Sequence, residues 1–87
     1  MKYRVSYQEG QHLGRHCYKF SVVWRDFSRE VHEYLDYRDE TLREMKKWCT
    51  DNFGIISWHW HTFEEMDFTI FIFNKPDHAM MFKLRFG

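Results

Sequence analysis

Two apolar stretches decide the fold of this chain: Ile55-Ile-Ser-Trp-His-Trp-His-Thr-Phe63 and Asp67-Phe-Thr-Ile-Phe-Ile-Phe-Asn74. Both are rich in the β-branched and aromatic residues that are enriched in strands. The polar run from Glu64 to Asp67 has the length of a common hairpin loop. We therefore predict two neighbouring antiparallel strands at the centre of a small sheet, which the rest of the chain must extend or cover.

Alternation gives each predicted strand two faces, because successive side chains of a strand point to opposite sides. The first strand divides into two sets of three: Ile56, Trp58 and Trp60 against Ser57, His59 and His61. The second strand divides in the same way: Phe68, Ile70 and Ile72 against Thr69, Phe71 and Phe73. Since the second strand is apolar on both faces, we expect helices to cover one face of the sheet. The other face then meets a partner or exposes aromatic rings as an interaction surface.

Composition excludes some classes of protein and leaves others open. The 87 residues predict a single domain, residues 1–87, with an aromatic core, since nine Phe, five Tyr and four Trp outnumber the twelve Ile, Leu and Val residues. Thirteen basic and thirteen acidic residues cancel. The overall basic charge of many nucleic-acid-binding domains is therefore missing, while a local basic patch remains open. Neither a signal-peptide pattern nor a run of about 18 apolar residues is present, which predicts a cytoplasmic protein without membrane contact.

Two further strands are predicted in the N-terminal third. Alternating Tyr and Val side chains predict a half-buried edge strand over Lys2–Tyr7, and the glycines of Gln8–His16 predict a loop. Strand character resumes over Cys17–Trp24. The faces of this second strand carry two sets: Tyr18, Phe20 and Val22 against Lys19, Ser21 and Val23.

The main helix follows an ambiguous segment. Residues 28–37 suit either a helix or a strand, and we favour a break near Asp36–Asp39 with Asp39 capping the helix that begins there. Six residues recur at helical spacing and predict one apolar face: Leu42, Met45, Trp48, Cys49, Asn52 and Phe53. Gly54 follows the last of them and predicts a left-handed helix end.

The C-terminal residues complete the predicted fold. Asn74–Met81 reads as a short helix with Pro76 in its first turn and Asp77 near its positive end. The alternation of Phe82, Leu84 and Phe86 predicts a final short strand, with continuation of the helix as the alternative. The resulting order predicts an α+β two-layer sandwich with a mainly antiparallel sheet and helices on one face. Its core order of strand, helix, two strands, helix and strand is ferredoxin-like.

One C-terminal stretch carries a resemblance to a known group of proteins: Phe73-Asn-Lys-Pro-Asp-His-Ala-Met-Met-Phe-Lys-Leu-Arg-Phe86. It resembles the ends of short uncharacterised proteins of tailed bacteriophages, which often close with an acidic residue, Ala and then Phe-Lys-Leu. The resemblance covers about a sixth of the chain and includes no catalytic residue. It implies a small viral accessory protein or a virion component, located in the host cytoplasm or in the virion.

Candidate chemistry is sparse. The H-x-H spacing of His59 and His61 can hold a metal ion through two imidazoles, with His12, His16, His32 or His78 as further ligands. The alternative, which we favour, is that both are sheet residues beside Trp.

Cys17 and Cys49 form no C-x-x-C pair and predict two free thiols, with Cys49 packed on the apolar helix face. We therefore predict no catalytic residue, metal site or cofactor, and a metal-dependent enzyme is only the third hypothesis.

Protein interaction is the function that the composition favours, because Trp, Tyr, Phe and Met are typical of interface cores. The predicted partner is a host or viral protein or a second copy in a homodimer. The candidate interaction face contains six residues: Trp58, Trp60, His59, His61, Phe71 and Phe73. Two alternatives remain: a monomer whose rings merely fill the core, and single-stranded nucleic-acid binding on an aromatic sheet face. In the latter, phosphates would meet five cations if these share a face: Lys2, Arg4, Arg15, Lys19 and Arg25.

Overall fold

A computed structural model of the chain describes residues 3–12, 14–24, 31–54, 60–65 and 67–87. Its elements follow in chain order: β1 Tyr3–His12, β2 Arg15–Trp24, α1 Val31–Phe53, β3 Trp60–Glu64, β4 Phe68–Phe73 and α2 Pro76–Phe86. The four strands form a sheet in the order β1-β2-β4-β3, and every neighbouring pair is antiparallel. The predicted α+β class and the antiparallel sheet are confirmed.

The N-terminal hairpin is longer than predicted. β1 and β2 pair over ten residues each, from Tyr3 opposite Trp24 to His12 opposite Arg15. The predicted loop over Gln8–His16 is therefore wrong, because most of this polar segment belongs to the two strands. Gly14 next to the start of β2 has φ 77°, a left-handed conformation that a tight turn uses and that Gly adopts without strain. The predicted edge position of β1 is confirmed.

The β3–β4 hairpin confirms the predicted antiparallel pair. Trp60 lies opposite Phe73 and Glu64 opposite Thr69, which places β4 in the interior of the sheet and β3 at its edge. The prediction that both strands are central is thus right for β4 and wrong for β3. The predicted start of the first strand, residues 55–59, lies outside the described residues.

Helix α1 runs without a break from Val31 to Phe53. The predicted break near Asp36–Asp39 is wrong, because 23 helical residues span about 34 Å and fit within the longest dimension of the molecule, 39 Å. Asp39 does not cap the helix but lies exposed within it, paired with Arg38 at 2.9 Å. The helix end is confirmed, since Gly54 has φ 91° and its N–H donates to the carbonyl of Thr50.

The predicted apolar face of α1 is confirmed with one exception. Leu42, Met45, Cys49 and Phe53 are buried against the sheet. Asn52 is exposed, and its Nδ2 donates to the Trp48 carbonyl at 2.8 Å. The exception has a simple cause: a polar side chain at the end of a helical stripe can turn towards its own backbone instead of the core.

Helix α2 begins at Pro76, as predicted, and continues to Phe86. The predicted final strand over Phe82–Phe86 is wrong, and the alternative of a continued helix is confirmed. Helical spacing places Ala79 and Phe82 on the buried side of α2, with Phe86 packed beside them on the core, so these residues gain more contacts in a helix. Because β1 occupies the sheet edge and the structure describes no strand after α2, the ferredoxin-like order is not confirmed.

The core lies between the sheet and the two helices, which share one face. Phe82 is at its centre, with ring centroids 5.0 Å from Phe20, 4.8 Å from Phe71 and 5.1 Å from Phe73. Within the core, the Trp24 indole N–H donates to the Thr69 hydroxyl at 2.9 Å. A core of interlocking rings compensates for the few aliphatic residues in the sequence, since each buried ring removes a large apolar area from water.

Replacing Phe82 with Ala should destabilise the protein by about 3 to 5 kcal/mol, because it leaves a cavity among three rings. The matched change Phe63→Ala, at an exposed edge-strand position, should cost about 1 kcal/mol or less. Urea unfolding followed by Trp fluorescence measures both. Equal losses would contradict the described core.

Candidate functional site

The structure divides the predicted interaction face. Trp60, Phe71 and Phe73 are completely buried under the helices, so their rings belong to the core and are not available to a partner in this fold. His61 points to the opposite side of the sheet and is half-buried. Trp58 and His59 lie outside the described residues. Sequence alternation separated the faces correctly, but it contains no signal for which face the helices cover.

The sheet face away from the helices, here called the open face, receives side chains from all four strands. Register assigns it the residues that alternate with the core set: Arg4, Ser6 and Gln8 of β1; Arg15, Cys17, Lys19, Ser21 and Val23 of β2; Phe68, Ile70 and Ile72 of β4; and His61 and Phe63 of β3. Its composition differs from one side to the other. The β3–β4 half is apolar and aromatic, whereas the β1–β2 half carries the cations.

The apolar half of the open face is partly accessible. Phe63 is 48% exposed and lies beside Ile70 in register. Val23 lies opposite Phe68, and both are half-buried, as is Ile70. This half therefore offers aromatic and aliphatic surface without a described element on top of it.

Part of the open face is nevertheless shielded. Cys17 and Ile72 are buried although they point away from the helices. The end of the Lys19 side chain lies over β1, because a Cβ added at Gly10 would be 3.6 Å from Lys19 Nζ. Gly10 is the register partner of Cys17, so the lysine stem lies along the seam between β1 and β2 while its amine remains near the surface.

The outward side of α2 forms a second exposed surface, here called the outer stripe: Asp77, Met80, Met81 and Leu84. Met80 is 59% exposed, Met81 41% and Leu84 81%. The spacing of i, i+3, i+4 and i+7 places all four residues on one side of the helix. Among the described residues, most of the exposed large apolar side chains lie on this helix. The stripe was not predicted, because Met80 and Met81 were assigned to the end of a short helix and Leu84 to a strand.

A groove of about 210 Å³ lies between α2 and the β1–β2 hairpin. Its lining is mainly apolar, with two phenols and one amine: Tyr7, Tyr18, Phe20, Pro76, Ala79, Met80 and Lys83. Partial burial, followed by the negative charge of Glu9, raises the pKa of Tyr7 above its ordinary value. The His16 ring contacts that of Tyr18, and His16 Nε2 lies 2.9 Å from Glu9 Oε1. Both partners are more than half exposed, so the pair resembles an ordinary surface contact rather than a catalytic dyad.

The candidate metal ligands are dispersed. His61 is on the open face, His16 is on the helix side, and His78 stacks on Phe53 with ring centroids 4.0 Å apart. Within the described part of the chain, no three His, Cys, Asp or Glu side chains come together in a way that could hold a metal ion. His59 and the side chains of His12 and His32 lie outside what the structure describes.

Both thiols are free and buried, which confirms the predicted packing of Cys49. Burial raises the pKa of Cys49 to about 12, so its nucleophilic thiolate is absent at neutral pH. Cys17 is likewise enclosed on the other side of the sheet. Neither thiol is placed to act as a nucleophile.

Comparisons with known proteins give no family assignment: no family model, curated protein or solved structure matches the chain. Neither α1 nor α2 has the length and apolar content that crossing a membrane requires.

Cys49 should make the protein less stable in alkali. Its buried thiol stays protonated in the folded state up to a pKa of about 12, whereas in the unfolded chain it ionises near the ordinary value of 9.0. The stabilising contribution is therefore complete below pH 9.0 and is lost as the pH rises towards 12. By pH ~10.5 the loss should reach about 2 kcal/mol.

Urea unfolding of the wild type and of Cys49→Ala at neutral and alkaline pH measures this loss. The other titrating groups are common to both proteins, so the difference between their pH profiles isolates the thiol. The Cys49→Ala profile should be flatter above pH 9.0. Parallel profiles would contradict the buried, protonated thiol.

Proposed function

We propose that the protein is a small protein-interaction module that self-associates as a twofold homodimer through the outer stripe of α2. The observation that supports this most is the exposure of Met80, Met81 and Leu84 on one side of a short helix. Isolated exposed apolar residues are common, but a continuous stripe of them on an amphipathic helix is typical of a contact surface. Met side chains adapt easily to a packed partner.

The charges on α2 favour a second copy as the partner. Asp77 lies in the first turn of the helix, and Lys83 and Arg85 lie in the last turn. When two copies of α2 pack antiparallel about an axis near Met80 and Met81, Asp77 of each copy meets the cationic end of the other. The helix dipoles also oppose each other in this arrangement, so the surface is complementary to itself.

The proposed contact between the two copies of α2, here called the seam, also explains why both sides of this helix carry apolar residues. Ala79 and Phe82 face the core of their own chain, whereas the apolar side chains of the outer stripe are exposed. The groove adds to this surface, since Met80 belongs to both and Tyr7 borders it. With only two or three turns of helix in contact, the interface is small, and we expect a dimer of micromolar affinity rather than an obligate one.

The resemblance to tailed-bacteriophage proteins supplies a setting for this proposal. The resembling stretch, residues 73–86, includes the whole of α2. We therefore place the module in the phage-infected cell or in the virion, where self-association would build or regulate a small assembly.

Replacing Leu84 with Asp should convert the protein into a monomer over the micromolar range, because it buries an unpaired charge in the seam. Sedimentation equilibrium measures the mass. Phe63→Asp is the matched control, since it places the same charge at an exposed apolar position on the open face. It should leave the dimer intact, and dissociation by Phe63→Asp alone would assign the interface to the open face instead.

Charge exchange gives a second test of the antiparallel arrangement. Asp77→Lys should weaken the dimer several-fold by placing like charges opposite each other. Combining it with Lys83→Glu and Arg85→Glu should restore the affinity, because the signs at the two helix ends are then merely exchanged. If the triple variant is no tighter than Asp77→Lys, the two ends do not meet and the proposed pairing is wrong.

A further inference from the structure

The open face separates cations from aromatic rings across the width of the sheet, and this division points to a second function. We propose that the open face binds single-stranded nucleic acid, with the phosphates along β1–β2 and the bases on β3–β4. The proposal does not depend on the α2 dimer, because the outer stripe lies on the other side of the sheet.

The chain as a whole is neutral, but its charges are not evenly distributed between the two faces of the sheet. Within the described strands, the open face carries three cations, Arg4, Arg15 and Lys19, and no Asp or Glu. The acidic strand residues Glu9 and Glu64 point to the helix side, where they pair with His16 and Lys46. Glu65 follows β3 in the adjoining loop. Although the whole chain is neutral, the strand residues of the open face therefore carry only positive charge. Positive charge is what binding of a phosphate backbone requires.

Two of these cations are available to a ligand. Across the described residues, neither Arg4 nor Lys19 forms an ion pair with an acidic side chain. Arg4 is exposed, and Lys19 extends over β1 above Gly10. Both groups therefore lie on the β1–β2 half of the face, along one line that a strand backbone can follow.

The β3–β4 half of the open face supplies aromatic rings on which unpaired bases can stack. Phe63 is 48% exposed, and its ring lies 5.6 Å from that of His61 in an edge-to-face arrangement. Phe68 lies on the neighbouring strand and is half-buried. Flat rings on an open sheet stack on unpaired bases of any sequence, whereas the bases of a duplex are already stacked on each other. The arrangement therefore favours single strands, with little sequence preference.

The spacing of the two halves also fits one nucleotide. Neighbouring strands lie about 4.8 Å apart, so the rings on β3 and β4 are one to three strands from the cations on β1 and β2. A base that stacks on Phe63 or Phe68 directs its sugar and phosphate towards β2 and β1. An acidic protein would meet the same cations, but it would leave the ring surface without a stacking partner.

Fluorescence anisotropy of labelled oligothymidylate and oligouridylate of about 16 nucleotides tests the proposal on the full chain. At about 50 mM salt we expect saturable binding to at least one of the two, and several-fold weaker binding to a duplex of the same length. With phosphate contacts from Arg4 and Lys19, the logarithm of the affinity should fall with the logarithm of the salt concentration with a slope of roughly −1.4. The ratio of the affinities for oligouridylate and oligothymidylate shows whether the open face prefers RNA or DNA.

Variants on the two halves separate stacking from charge. Phe63→Ala should weaken binding about tenfold with an unchanged salt slope. Arg4→Gln should weaken it several-fold and reduce the magnitude of the slope by about 0.7. Arg43→Gln makes the same chemical change at an exposed position of α1 and should leave the dissociation constant within about twofold.

Three results would overturn the proposal. The first is the absence of saturable binding to either strand at low salt, and the second is an equal loss from Arg4→Gln and Arg43→Gln. The third is a fall in molecular mass for Phe63→Ala without a change in oligonucleotide affinity, which would make the open face a protein interface. Leu84→Asp should keep the binding of the wild type, so failure of the α2 dimer and failure of this site are distinguishable.

Discussion

The structure depends on one constraint: β4 is apolar on both faces, and the helices that the structure describes cover only one of them. Phe71 and Phe73 pack under α1 and α2, where Phe82 and Met45 complete the core. Phe68 and Ile70, which alternate with them, point to the other side, where no described element lies over them. A strand cannot turn all its side chains to one side. Packing Phe71 and Phe73 into the core therefore leaves Phe68 and Ile70 on the open face, which is partly apolar as a result.

The strand register extends the division into two faces from β4 to β2 and β1. β2 and β1 alternate in step with β4, so the rings of Tyr3, Tyr7 and Phe20 follow the core side, and Arg4 and Lys19 follow the open side. The strand pairing that places these rings in the core thus also places the cations Arg4 and Lys19 together on the open face. The helix layer shows a similar division, since α2 buries Phe82 and exposes Leu84 only two residues later.

Periodicity predicted the parts of the fold that one stretch of sequence decides. The hairpin, the faces of β2 and β4, the apolar face of α1 and its end at Gly54 all follow from local spacing. The failures have a common physical cause, which is that tertiary packing decided between local alternatives. Phe82, Leu84 and Phe86 alternate like a strand, yet the ring cluster stabilises a helix. The polar segment around Gly10 looks like a loop, yet pairing with β2 extends it as a strand.

The candidate sites were less predictable than the fold, because they depend on which face the helices cover. Trp60, Phe71 and Phe73 looked suitable for an interface on composition alone, and they are the centre of the core. Phe63 and the outer stripe of α2, which carry the two proposals, have no motif that distinguishes them in the sequence. The nucleic-acid alternative needed five cations on one face: Lys2, Arg4, Arg15, Lys19 and Arg25. The register of β1 and β2 places Arg4, Arg15 and Lys19 on the same face, whereas Lys2 and Arg25 lie outside the described residues.

In this structure, helices α1 and α2 cover one face of the sheet and leave the other open. Methyl signals of a sample labelled at Ile and Val, recorded with a soluble paramagnetic chelate, test it most directly. Val22 and Ile72 are buried, whereas Val23 and Ile70 are half-buried on the open face. The account predicts strong broadening of Val23 and Ile70, with Val22 and Ile72 protected. Equal protection of all four residues would show that the open face is covered, and would contradict the account.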